Sequence, residues 1–195
     1  DAQRAYEPFL EVPTAEQLLA TYRSVANRAI EPYRDSVVGN QLMPVLPQPG
    51  TIMAERTIPE LDVTEWTLSN GVTVVLKPTD FKNDEVVLTA TSPGGTSLYP
   101  DSVIVSANFA GTVAGLGGIG EFSATDLRKV LAGKVASANA AIGDRTEGIN
   151  GRSNAKDIET MLQLVHLRFT APRRDSSAFV AFRQSTQAAL ANAAA

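Results

Sequence analysis

The chain has 195 residues, 44% of them hydrophobic and 19% charged, enough apolar material for the core of one ordinary domain or a domain plus an arm. Its 17 Lys and Arg against 21 Asp and Glu give a net charge of −4, without the clustered basic surface that nucleic acid calls for. There is no cysteine, so disulfides, Cys-ligated zinc, iron–sulfur clusters and thiol nucleophiles are excluded, and no apolar run approaches the roughly 20 residues of a membrane helix.

In chain order, residues 1–60 and 61–195 read as different regions: a helix plus a Pro-rich interdomain arm, then a folded α+β unit. Asp1 opens on helix-like polar sequence with no charged-then-apolar leader, and the Ala-rich end also reads as a cut through a longer protein. Thr14 and Gln17 have the spacing of a capping box. Leu18, Leu19, Tyr22, Val25, Ala26, Ala29 and Ile30 then recur at helical spacing, until Pro32 stops or kinks the helix. Pro44, Pro47, Pro49, Gly50 and Pro59 favour an extended, surface-tracking connector over residues 39–59.

From Leu61 the pattern changes. Trp66 and Leu68, then Asn70-Gly71, then Val72, Val74 and Leu76 predict a hairpin with a tight primed turn. Residues 85–91 (EVVLTAT) predict another strand, ending at Ser92-Pro93-Gly94-Gly95. In residues 102–113 the β-branched start favours strand, but Val105, Phe109, Val113 and Leu116 favour helix, the reading adopted. Ser123 and Asp126 start a helix with Phe122 and Leu127 at staple positions and Leu127, Val130 and Leu131 on one side, closed by Gly133.

Residues 134–142 and 145–152 predict a second hairpin around Gly143-Asp144. Asn154 caps a helix whose stripe is Ile158, Met161, Leu162, Val165 and Phe169, ended by Pro172, and Asp175 begins a last helix through Phe179 and Phe182. The order ββ β α α ββ α α predicts an α+β fold, a mainly antiparallel sheet with helices packed on one face.

Three kinds of chemistry can be weighed. A catalytic zinc takes about three protein ligands, and the chain has one histidine, His166, flanked by Val165 and Leu167 in a predicted helix. That reads as a helix-surface or core-edge residue, and no Gly-x-Ser-x-Gly elbow offers it a serine nucleophile. Gly115-Leu116-Gly117-Gly118-Ile119-Gly120 matches the dinucleotide pattern G-x-G-x-x-G, with Asp144 near the ribose-binding spacing. Dinucleotide binding needs those glycines directly at a strand end, whereas residues 107–114 intervene, so a link between two packed helices is the plainer reading. The carboxylates Asp84, Glu85, Asp157 and Glu159 read as caps and solvated faces, and Arg173-Arg174 as a helix-end charge.

Several segments together carry a resemblance. Trp66-Thr67-Leu68-Ser69-Asn70-Gly71-Val72-Thr73-Val74 resembles the opening hairpin of pitrilysin/insulinase-family domains. Ser92-Pro93-Gly94-Gly95-Thr96-Ser97-Leu98 resembles the strand end leading into their first helix. Residues 127–134, Gly148-Ile149-Asn150-Gly151-Arg152, and residues 164–170 with Pro172, Arg173 and Asp175 resemble the later part of the non-catalytic domain of bacterial members. The resemblance spans about residues 61–183, and residues 14–60 resemble the preceding arm.

Family resemblance implies a zinc metalloendopeptidase parent, whose catalytic domain carries H-x-x-E-H on the helix after that strand, with a later glutamate completing the ligands. In this chain no His, Asp or Glu occurs from Ser102 to Gly120, so no catalytic, metal or cofactor-binding residue is carried over. What the resemblance implies instead is half of a duplicated domain forming wall and lid of a clamshell peptide chamber. Its implied partners are the parent's catalytic domain and peptide substrate, with a homodimer as a further option and no nucleic acid or membrane; zinc is expected only in the catalytic domain. The family's substrate-gripping Arg and Tyr fall beyond residue 195, and exposed apolar surface is expected where the missing half docks. Compartment stays open between cytoplasm and periplasm, the resemblance leaning to the periplasm. A structural subunit descended from a dead peptidase is the alternative, and a dinucleotide-binding domain a third.

Overall fold

The computed structural model describes residues 13–26, 28 and 41–193. The chain divides into two compact units, residues 1–36 and 37–195. In the first, helix α1 (Ala15–Ala26) starts at the expected capping box: the Thr14 amide donates to Gln17 Oε1 at 2.8 Å, and the Gln17 amide to Thr14 Oγ1 at 3.2 Å. Leu18, Leu19, Tyr22 and Val25 of its apolar stripe are exposed. Ala29, Ile30, Pro32 and Gly39 lie outside the described residues.

The second unit contains two three-stranded antiparallel sheets. The first, ordered β1-β2-β3, is built from β1 (Ile52–Ile58), β2 (Val63–Leu68) and β3 (Thr73–Leu76). The stretch read as a surface connector therefore holds a paired strand, with Glu55 opposite Trp66 and Ile58 opposite Val63. Glu55 accepts the Trp66 indole N–H at 2.9 Å, and Arg56 pairs with Glu65. Leu42, in the same stretch, departs from the surface-tracking expectation by burying itself in the main core. Prolines set the local backbone; a partner strand and an apolar pocket decided where these residues went.

The β2–β3 turn also differs from expectation. Gly71 has φ +84° but Asn70 has negative φ, and the Gly71 amide donates to the Leu68 carbonyl at 2.9 Å. This is a three-residue loop, a type I turn followed by a left-handed glycine, rather than a two-residue primed turn. Asn70 Oδ1 accepts from the Val72 amide at 3.1 Å, the local bond that suits Asn to turns.

The second sheet is ordered β4-β6-β5, from β4 (Val86–Pro93), β5 (Ala136–Ile142) and β6 (Thr146–Ser153). Ala138 and Leu88 both stand opposite Gly151, and Ala140 and Ala90 opposite Ile149. Along β6, Ile149, Gly151 and Ser153 are buried while Asn150 and Arg152 are exposed, the period-2 signature of one covered face. Helices α2 (Ile104–Leu116) and α4 (Ile158–Thr170) pack against this sheet.

Helix α3 (Ala124–Val130) starts where Ser123 Oγ accepts from the Asp126 amide at 3.1 Å, and Gly133, at φ +79°, follows its end. The last helix, α5 (Ser176–Ala193), starts as Asp175 Oδ1 accepts from the Ala178 amide at 3.0 Å. The core gathers Leu42, Ile119, Phe122, Ala138, Ile149, Leu164 and Leu167. On α4 the buried face is Thr160, Met161, Leu164 and Leu167, whereas the expected stripe members Ile158, Leu162 and Phe169 are exposed. Asn154 caps the turn before α4, its Oδ1 accepting from the Asp157 amide at 2.7 Å.

Candidate functional site

The strand end 92–95 and the helix after it are where the resemblance would put a zinc motif. β4 runs out against the β5–β6 turn: the Gly94 amide donates to the Arg145 carbonyl at 3.1 Å, Thr96 to Gly143 at 2.9 Å, and Ser97 to Asp144 at 2.8 Å. Short 3-10 turns at Thr96–Leu98 and Asp101–Val103 then lead into α2. Its sequence, IVSANFAGTVAGL, offers neither imidazole nor carboxylate, so zinc does not fit this helix in any register. Among the described residues, no three His, Asp or Glu side chains cluster in a way that could hold a metal ion.

The glycine run has a packing explanation. Gly117 ends helix α2, and a Cβ there would run into the Arg173 carbonyl oxygen. Arg173 Nη1 donates to the Gly117 carbonyl at 2.7 Å and to Asp175 Oδ2 at 3.1 Å. The Gly120 amide donates to the Ala171 carbonyl at 2.8 Å, while Ile119 and Phe122 exchange backbone bonds at 2.9 Å. Ile119, at 0% exposure, is thereby set in the core. The dinucleotide reading is overturned: the glycines follow a helix instead of a strand, both sheets are antiparallel, and Gly117 is a helix C-terminus. Asp144 stands in the β5–β6 turn, its carbonyl taken by Ser97.

The remaining candidates also have structural work. His166 is half-buried on α4, and its carbonyl accepts from Thr170 Oγ1 at 2.9 Å. Asp157 is buried, its Oδ2 accepting from the Val135 amide at 2.8 Å. Asp84 accepts from the Ala155 amide at 3.2 Å, Glu159 from Gln163 at 3.0 Å, and Glu85 pairs with Lys82 at 3.1 Å and Arg152 at 3.2 Å. Apart from Glu159, these acids tie together segments distant in sequence.

Asp175 has its carboxyl lowered from 3.8 to about 2, chiefly by the Ala178 amide, then by Ser177 Oγ and Arg173. Sequence reasoning missed Arg168, which donates to the Ala138 carbonyl at 3.1 Å and the Ala114 carbonyl at 3.4 Å, linking α4 to β5 and α2. Burial lowers its pKa. An arginine in the last turn of a helix gives no sequence signal of such a role. The arrangement as a whole stiffens and packs the fold.

Comparison with known proteins adds the ancestry. No protein-family model matches the chain. It is 33% identical over 143 residues to a zinc protease PQQL-like of Arabidopsis thaliana, spanning 73% of this chain and 12% of that protein. It is 25% identical over 138 residues to the probable zinc protease PqqL of Haemophilus influenzae, 71% of this chain and 15% of that one. Among solved structures, the periplasmic protease PqqL from Escherichia coli matches 92% of this chain with 20% of its own, at a TM-score of 0.70 and 19% identity. The ferredoxin protease FusC, solved in complex with Arabidopsis ferredoxin, matches 86% with 19% of its own, at 0.63 and 20% identity. Those two structures share its fold.

The class is thus an α+β unit of zinc-protease descent. More particularly, the chain is a homologue of the pitrilysin/PqqL-like zinc proteases, corresponding to one domain-sized part of them. It spans only 12–15% of the length of these curated relatives.

Proposed function

We propose that this chain is a non-catalytic segment of a pitrilysin-like zinc metalloendopeptidase, forming chamber wall and helping to hold peptide while another part of the parent carries the metal. One observation carries the reading: α2, in the position where the resemblance expects the zinc helix, has no imidazole or carboxylate from Ser102 to Gly120. Water activation by zinc needs ligands to fix the ion and a base beside it, and an apolar helix supplies neither. The zinc-protease relatives support a parent that cleaves peptides, and their greater length leaves room for a metal site elsewhere. Wall contacts remote from the scissile bond would contribute by positioning peptide rather than by chemistry.

Zinc content and cleavage of a quenched peptide, measured on the 195-residue chain and on the full parent, test this. The chain alone should retain no stoichiometric zinc and cut nothing; the parent should bind zinc and lose cleavage in EDTA. EDTA-sensitive cleavage by the chain alone would overturn the proposal, and a parent without zinc would overturn its metalloendopeptidase half.

A further inference from the structure

β3 and β4 follow one another in the chain, yet each is the outer strand of a different sheet. Consecutive strands are neighbours roughly two-thirds of the time, and these two are not paired. An outer strand directs alternate N–H and C=O groups away from its partner, a row that invites a further strand. Val75 and Leu76 of β3 and Val86 and Val87 of β4 line the same groove, of about 890 Å³, bounded also by the connecting residues 77–83. Both walls carry apolar side chains into solvent, Val75 at 59% exposure and Val87 at 64%. Of the charged residues that line it, Lys77 bonds the Leu61 carbonyl and Glu85 pairs with Lys82 and Arg152, while Asp80 lines it too. Such a groove, with a strand edge on each wall, suits an extended segment.

We infer that this groove is the slot for one further β-strand, supplied by the parent protein outside residues 1–195, which joins the two three-stranded sheets into one. The chain accounts for 12–15% of its curated relatives and 20% of the solved PqqL chain, so a parent of that kind has sequence to provide it. A strand paired along both edges needs residues of high β propensity, such as Val, Ile or Thr. The inference rests on the reading that the chain is part of a longer protease, but not on where the zinc lies.

Hydrogen exchange, followed amide by amide in the full parent and in the 195-residue chain, tests it. In the parent, the outward amides of Thr73–Leu76 and Val86–Pro93 should exchange at least about tenfold more slowly than in the chain alone, approaching those of β6. Fast exchange at both edges of the parent, with β6 protected, would overturn the inference. So would protection that needs added peptide, or that appears in the chain alone as its concentration rises, since the occupant would then be substrate or a second copy. Zinc and cleavage assays report separately on the functional reading, so the two can fail independently.

Discussion

The two sheets of the second unit have the same strand count and the same antiparallel pairing, yet they are not equal parts. In β4-β6-β5 one face is covered by α2 and α4, and Ala138, Ile149, Met161 and Leu164 are buried there. In β1-β2-β3 only Val63 is buried. A hydrogen-bonded ladder fixes register, but removal of apolar surface from water supplies most of the stability, and here the helices perform that removal. The first sheet is specified by turn chemistry and cross-strand pairs such as Glu55–Trp66, the second by its core.

The sharpest way to break this contrast is a pair of truncations read by urea unfolding. Leu164→Ala should lower stability by about 2–5 kcal/mol, the range for deleting a buried leucine. Val75→Ala, on an exposed strand, should change it by about 0.5 kcal/mol or less. Similar losses at both sites would mean that the first sheet has a core of its own.

Gly71→Ala comes next, at about 1–2 kcal/mol, because a Cβ is strained at φ +84°. The loss should appear in hydrogen exchange of β2 and β3 before it reaches β6. A uniform effect across both sheets would show them unfolding as one.

The smallest effect is at Asp175. Its folded value, about 2, lies below the ordinary 3.8, so its contribution is present above pH 3.8 and is lost as pH falls through about 2. Asp175→Asn keeps a capping side chain without a titrating one. The variant should therefore flatten the acid limb of a stability–pH curve over that interval, and it should be slightly less stable at neutral pH, where the carboxylate's contribution is present. An unaltered acid limb would show that the carboxylate is not held by the Ala178 amide in solution.

How much of this was legible followed the range of the interactions. Capping at Thr14 and Ser123, the Gly133 stop and the existence of both hairpins are written in residues a few positions apart, although the loop at Gly71 is one residue longer than its Asn-Gly pair predicts. The strand Ile52–Ile58 was hidden by surrounding prolines, since its identity depends on a partner beginning at Val63. The buried face of α4 was ambiguous for another reason: Ile158, Met161, Leu162, Leu164, Val165, Leu167 and Phe169 leave apolar residues on most of its circumference. Only the neighbouring sheet could select Leu164 and Leu167. The α+β class and the zinc-protease kinship were readable from ordered segments. Arg168 was not, because its acceptors are carbonyls at Ala138 and Ala114, residues whose side chains give no hint of them.

Leu42 has a mechanical consequence. Its side chain is wedged among Ile119, Phe122 and Leu167, ten residues before the first strand begins. Tension arriving along the backbone from upstream would be arrested at that anchor before it could peel the Ile52–Ile58 ladder from its edge.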